Sequence, residues 1–482
     1  MLRGGAGAVA GAAVLGGPFK GFVALAEGAA RRGPDFRSLR PIPDERDGRV
    51  RLHLPDGFQY RSFHDTEATV TLGDGTTLPG RHDGMGAFPG PGGNVLLVRN
   101  HEINGPATPF GPGTPYDSRA GGGTTTTLVT RLGEVLEDYT SLNGTQMNCS
   151  GGRMPWGSWI SCEETVNGPD VGPDFTGVSN VALTKPHGFV FEVPAGGQSD
   201  REPITNAGRF AHEAAAFDPQ DGIVYLTEDN FAFPSGLYRY VPQDNPLRTG
   251  RLDNGGRLQM LAVDGIPKAD LAAEQPDGAK FAATWVDIDD PAPVFPYTPG
   301  VSAPTPNDTA LVHVGRQGFE EGAAGFSRLE GAVYDNNVVY FCSTQGGGPP
   351  QQGTSDPAQG WGNGFGQVWG YHTRSGVLRL IYQSPGRDTL DFPDNVTTRG
   401  GRNTLVLCED NVDDNYLRGL THSGHLFDIA LNRLVSATGA ARFNDEFAGA
   451  TFSPDGHTLF VNIQASRGLT FAIWGPWDRL GV

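Results

Sequence analysis

No long run of lysine or arginine exists in this chain. With 36 basic against 54 acidic residues, the formal net charge is −18. A nucleic-acid footprint needs a basic patch, so that partner class is excluded. Cysteine is scarce as well. Four cysteines in 482 residues cannot make a disulfide scaffold. Beyond residue 30 there is no long apolar run, which argues against stable membrane insertion. Strong helical periodicity is absent throughout. No nucleophilic serine elbow, Walker loop or HExxH stretch occurs, which leaves metal-assisted hydrolysis as the open route to hydrolytic chemistry.

What the chain has in quantity is turn residues. Its 71 glycines and 37 prolines make up about a fifth of it, without a collagen period and beside a hydrophobic share of 37%. That composition fits a turn-rich all-β protein better than disorder. Excess acid is either a solvated surface or the composition of a protein that binds hard cations such as calcium.

Residues 1–30, "MLRGGAGAVAGAAVLGGPFKGFVALAEGAA", are small and apolar, with Arg3 and Lys20 as their basic residues. They have the shape of the remnant of an export signal. A twin-arginine signal carries a basic pair before such a stretch; the expectation is that the pair lies upstream of Met1, and the alternative is that the segment is a non-exported remnant. Residues 31–482 are then expected to form a single β-propeller catalytic domain.

The repeat organises everything else. Six segments share a layout of a polar opening, a turn signal and an apolar strand. They are "HDGMGAFPGPGGNVLLVRNHE", "NCSGGRMPWGSWISCEET", "AHEAAAFDPQDGIVYLTEDN", "RLEGAVYDNNVVYFCSTQGG", "FPDNVTTRGGRNTLVLCEDN" and "DEFAGATFSPDGHTLFVNIQ". Short β-rich units repeated about six times predict an all-β fold, a six-bladed β-propeller with loop insertions. The long gap after the third segment, around "TWVDIDDPAPVFPYTPG", reads as an insertion over one face. In a propeller, equivalent ends of the innermost strands ring one opening. Glu213, Glu330, Asp394 and Glu446 are expected to converge there, with Cys149 at the matching place. The plainer alternative is that each acid caps a turn. Four acids in register favour cations, because packed carboxylates repel and are costly to bury unpaired.

A thiolate among carboxylates, at Cys149, suits a soft or borderline transition metal; a buried thiol is the alternative. Cys162, Cys342 and Cys408 end apolar strands and read as buried thiols. The clusters His101–Glu102, Glu163–Glu164, Glu228–Asp229–Asn230 and Glu409–Asp410–Asn411 have the oxygen content that calcium takes, or are ordinary loops. His212 is a ligand, a support for Glu213 or a core histidine, and Asn395 is a candidate support beside Asp394. Arg328 is either the partner of Glu330 in an ion pair or the fork that holds a phosphate.

Taken together, "NHE", "NCSGG…PWGSWISCEE", "FAHEAAAFDP", "YLTEDN", "RLEGAVYD", "FPDN", "CEDN" and "EFAGATFSPDG" resemble the PhoX family of alkaline phosphatases. They spread from about residue 50 to the end. The resemblance implies a six-bladed propeller, twin-arginine export to the periplasm or medium, and a monomer acting on small phosphate monoesters. It also implies two ferric ions (Fe3+) with calcium (Ca2+), and a metal-bridging oxygen as nucleophile. Cys149 is similar to the family's iron-binding thiolate. Glu213, Glu330 and Asp394 match its carboxylate ligands, and Arg328 its phosphate-contacting arginine. Glu102, Glu163, Glu164 and Glu446 lie in its motifs without assignment to a given ion. Two other readings stand beside this one: a calcium propeller hydrolysing esters or lactones, and a binding propeller rigidified by calcium.

Overall fold

Asn336 and Asn337 both take left-handed backbone angles (φ 49° and 66°), as a two-residue type I′ turn requires, and they fold two β-rich stretches back on each other. This hairpin joins Leu329–Asp335 to Val338–Ser343. Five similar pairs occur in the computed structural model, which describes residues 38–231, 233–348, 363–402 and 404–482. The expected export signal, residues 1–30, lies outside the described residues.

The first strands of these pairs are β1 (His82–Pro89), β2 (Asn148–Met154), β3 (His212–Asp218), β4 (Leu329–Asp335), β5 (Pro393–Thr398) and β6 (Glu446–Phe452). Each pairs antiparallel with the strand that follows it. β1 lies beside β2, β2 beside β3 and so on to β6, which returns to β1. The result is an all-β, propeller-like arrangement of sheets around a common axis. The two ends of the chain close it: Gln59–Phe63 pairs with Leu469–Trp474, and Val50–Leu54 extends the sheet of Leu426–Asn432.

Apolar faces of neighbouring sheets supply the core. Leu417 and Ile429 pack with Phe447, Val461 and Phe471 at one junction. Tyr225 and Leu261 meet Phe341 and Trp369 at another. Each such buried side chain contributes about 1.5–3 kcal/mol. Cys162, Cys342 and Cys408 are fully buried and unpaired, each in a different apolar cluster, as their strand-end positions imply.

The expected insertion is resolved differently. Its opening "TWVD" belongs to a strand, Lys280–Asp287, that pairs on one side with Gly256–Val263 and on the other with Val377–Gln383. Two sheets thereby join into one of nine strands. Alternating exposed and half-buried residues along Lys280–Asp287 give the period-2 pattern of a strand lying over a surface. Short helices also occur, the longest among the described residues being His313–Glu320. At eight residues it is too short for its period to stand out in the sequence. No helix among the described residues is long and apolar enough to cross a membrane.

Candidate active site

Each of β1–β6 carries a β-bulge close to its start. A bulge sets two residues against one on the partner strand and re-aims their side chains. The first residues of five bulges are Asp83, Cys149, Glu213, Glu330 and Asp394; in β6 the place falls to Gly449, with φ 61°. In five of the six a small residue follows (Gly84, Ser150, Ala214, Gly331 and Ala450), because the inner strands nearly touch. A Cβ on Gly84 would sit 2.5 Å from Ser150 Cα, and one on Gly331 2.6 Å from Asn395 Cα. Two residues before the bulge, Arg81, Met147, Arg328 and Phe392 have φ between 44° and 52°. Left-handed non-glycine residues cost about 1–3 kcal/mol each, so a repeated set at one end of a fold marks a built site.

Glu446 is a correction. It precedes the β6 bulge by three residues and is out of register with the other acids, since Gly449 holds the equivalent place. It still reaches the cluster. Three donor groups form a row: Cys149, Glu164 and Glu213; Glu213, Glu330 and Asp394; Asp394, Asp410 and Glu446. Within each group the ligand atoms lie within 4.8 Å of one another. Glu213 and Asp394 each belong to two groups, so the row is continuous. Cys149, Glu213 and Glu330 are buried, whereas Glu164, Asp394, Asp410 and Glu446 are half-buried at its open side.

Charge is crowded here. Loss of water and neighbouring carboxylates push Asp83, Glu164, Glu213, Glu330 and Glu446 well above the usual carboxylate range. The same causes raise Asp394 to about 8. Burial, then Glu213 and Glu164, raise the Cys149 thiol. Its Sγ lies 3.1 Å from the carbonyl oxygen of His212. Such a site is unfavourable without cations and favourable with them. Seven donors, six of them carboxylates and one a thiol, fit hard cations together with a borderline transition metal.

Several expected residues do other work. The His212 ring stacks on Phe210 at 3.6 Å and its Nε2 lies 2.9 Å from Gly208 O, so it is a core histidine in none of the donor groups. Asn395 donates to Asp394 and accepts from Gly449 N at 2.5 Å, tying the β5 bulge to the β6 bulge. Glu102 joins no donor group; it accepts from Gln464 and lies beside Asp83, and burial raises it to about 7. His101 is buried between Gly80 O and Thr125.

The oxygen-rich pairs divide their labour. The first acid of each is used up by the fold. Glu163 accepts from the backbone of Gln146, Gly188 and Phe189, Glu228 from Gly236 N and Tyr238, and Glu409 from Asp391 N, Tyr416 N and Arg418. The asparagines cap turns, Asn230 accepting from Phe233 N and Asn411 from Asp413 N. The second acids, Glu164 and Asp410, enter the donor row, and Asp229 meets Arg328. Asp83 was missed as a site residue, and Asp410 was named only within an oxygen-rich cluster. The signal for Asp83 was its "HD", the counterpart of "HE" at His212–Glu213.

Glu163 also anchors a buried histidine. His187 Nδ1 lies 2.6 Å from Glu163 Oε1, and its Nε2 faces Asp117 Oδ2 at 3.5 Å. Burial opposes the charge on His187, but the two carboxylates outweigh it and hold its pKa at about 9. A folded pKa above the unfolded value near 6.5 means stability that is complete below about pH 6.5 and lost as pH rises through about 9. The difference corresponds to about 3 kcal/mol. Melting temperature is therefore expected to fall between pH 7 and pH 10, and to fall less in His187→Gln. An equal fall in both proteins would remove His187 as the cause.

Arg328 stands at the edge of the row. Its Nη2 is 2.8 Å from Asp229 Oδ2 and 2.8 Å from Glu330 Oε1. Burial works against its charge, and Asp229 and Glu330 more than offset that. The backbone at Arg328 is left-handed rather than extended, so Arg328 and Glu330 meet through the turn into β4 and not along one strand face. A separate cavity of about 360 Å³ lies toward the other ends of the inner strands, lined by residues such as Ala215, Phe217, Tyr334, Thr397 and Thr451. It contains none of the donor residues.

A family model described as alkaline phosphatase PhoX matches residues 37–138 and 133–466. Among solved structures, the chain is similar to Pseudomonas fluorescens PhoX in complex with vanadate, a transition state analogue. The TM-score is 0.62 at 17% identity, over 91% of this chain and 98% of that chain. Weaker likenesses include the PQQ domain of a Coprinopsis cinerea pyranose dehydrogenase (TM-score 0.33, 11% identity, 90% of this chain and 98% of that). A gluconolactonase of Xanthomonas campestris is another (TM-score 0.32, 11% identity, 84% and 98%). No curated protein matches the chain. The family model spans every bulged inner strand and every donor residue described above, so the chain belongs to the PhoX family of alkaline phosphatases and is a phosphatase.

Proposed function

We propose that this phosphatase is a six-bladed propeller that hydrolyses small phosphate monoesters at the acid-lined end of its central channel. The observation that carries this reading is the continuous row of three donor groups, with Arg328 beside it. Cys149, Glu164 and Glu213 would hold a ferric ion, and Glu213, Glu330 and Asp394 a second. Asp394, Asp410 and Glu446, all oxygen donors, suit calcium. When bound, the ions supply Lewis acidity toward the phosphoryl oxygens and positive charge against the carboxylates.

The chain's own groups do the rest. Glu330 is oriented by Arg328, and Asp394 by Asn395. The Arg328 guanidinium contacts phosphoryl oxygens and follows their charge as it spreads in the transition state. No protein nucleophile is called for: Cys149, the thiol of the row, is committed as a ligand. The export reading stands as part of the proposal, since a phosphatase of this kind working outside the cytoplasm meets its esters there.

Purified protein is expected to contain iron and calcium, to hydrolyse a simple phosphomonoester and to lose activity on strong chelation. The thiolate–ferric bond should give a visible absorption band that Cys149→Ala removes. Elemental analysis, an absorption spectrum and an assay on one preparation decide it. A colourless, iron-free, fully active protein sinks the metal assignment.

A further inference from the structure

Asp229 belongs to none of the three donor groups. Both of its oxygens face Arg328 instead. Arg328 Nε lies 3.2 Å from Oδ1 and 3.2 Å from Oδ2, and Nη2 lies 2.8 Å from Oδ2. The Asp229 carboxylate thus takes the side edge of the guanidinium. Glu330 Oε1 takes Nη2 as well, from β4. One face of the guanidinium lies on the Phe231 ring, with Cζ 4.1 Å from its centroid. Phe231 is 38% exposed, so the ring that carries the guanidinium is open to solvent on its other side. Among the described residues, Nη1 has no hydrogen-bond acceptor, while the Arg328 side chain as a whole is only 12% exposed.

An unrestrained arginine samples many rotamers, and a fork that has to meet phosphoryl oxygens loses that freedom at the moment of reaction. Here an edge and a face are already fixed by groups that would not touch the substrate. Asp229 and Phe231 come from the same loop, which follows Ile223–Glu228, while Arg328 precedes β4. The clamp therefore joins two separate hairpins, and its geometry does not depend on either one alone.

We propose that Asp229 and Phe231 are positioning residues that hold the Arg328 guanidinium by its side edge and one face, leaving Nη1 free to meet the phosphoryl group. The proposal rests on the reading that Arg328 contacts phosphate.

The test is a double-mutant cycle on the metal-loaded enzyme. It uses para-nitrophenyl phosphate as substrate and inorganic phosphate as inhibitor. Asp229→Asn keeps the size of the side chain but turns one acceptor into a donor. It is expected to lose roughly 10- to 100-fold in kcat/KM and to weaken phosphate inhibition to a similar degree. Metal per chain should stay at the wild-type value. In an Arg328→Ala background the same change should alter kcat/KM less than about twofold, because there is nothing left to position. Phe231→Leu should lose about 3- to 10-fold, also only when Arg328 is present, and Phe231→Tyr, which keeps a ring face, should restore activity. Losses that multiply in the double variants overturn the positioning role, and so does a fall in metal content with Asp229→Asn. Wild-type turnover and phosphate inhibition in Arg328→Ala alone would instead sink the underlying reading of Arg328. If Asp229→Asn does not fold, the Phe231→Leu cycle decides the question by the same comparison.

Discussion

Glu213→Ala is expected to reduce phosphatase activity by at least ~1000-fold, the scale on which removing metal-held transition-state charge acts. It should also lower iron per chain by more than a single ligand's worth. The reason is topological. Glu213 belongs to two donor groups, one with Cys149 and Glu164 and one with Glu330 and Asp394. Its loss opens both. Asp394, the other shared residue, opens one proposed iron group and the proposed calcium group and should lower both metals, while Glu164, Asp410 and Glu446 each open one group and should cost less.

A second measurement separates ligand loss from misfolding. Without metal the cluster is an assembly of like charges, and burial and neighbouring carboxylates raise Glu213 strongly. Glu213→Gln removes one of those charges while keeping the shape. It should therefore raise the melting temperature of the chelated protein and lower that of the metal-loaded one. Equal shifts of one sign in both states would show that Glu213 is a packing residue and not a shared ligand.

The inner strands were legible because their starts carry acids and small residues at a fixed offset from the apolar run. Glu213–Ala214 and Glu330–Gly331 show both, Asp394–Asn395 shows the acid, and those residues occupy equivalent bulges. Cys149–Ser150 occupies the same place in β2. Glu446 was placed in that register wrongly for a physical reason. A strand pattern fixes which residues alternate, but a bulge shifts the count, and its place is set by close approach between neighbouring strands rather than by its own sequence. In β6 that place is held by Gly449, whose added Cβ would lie 2.4 Å from Asp83 O. The fate of Glu163, Glu228 and Glu409 was illegible for another reason. An acid that accepts backbone amides has the same letter as one that binds a cation, and only the loops that return to it distinguish the two. The bridging strand Lys280–Asp287 was hidden because its pairing partners, Gly256–Val263 and Val377–Gln383, lie far apart in the chain.

Arg328→Lys tests the remaining assignment with the sharpest contrast, because lysine keeps the charge and loses the fork. A phosphate monoester carries close to two negative charges at alkaline pH, and charge redistributes over its oxygens as the bond to the leaving group breaks. Metal ions on one side leave oxygens on the other for the Nη1 end of a guanidinium whose opposite edge is held by Asp229, a division of contacts a lysine ammonium cannot reproduce. Arg328→Lys is expected to keep the fold and the metals and to lose roughly 10- to 1000-fold in kcat/KM, by analogy with removal of a preorganised donor. Arg328→Ala should lose more. The competing role is visible in the structure, since Arg328 bonds both Asp229 and Glu330. If its work is only to neutralise them, Arg328→Ala leaves two buried carboxylates unpaired, at a cost of about 3–5 kcal/mol for a broken buried pair. Melting temperature or iron per chain would then fall, while turnover per bound iron stayed near wild type. Melting temperature, iron per chain and turnover measured on one preparation separate the two roles, and wild-type turnover per iron in Arg328→Ala removes the phosphate contact.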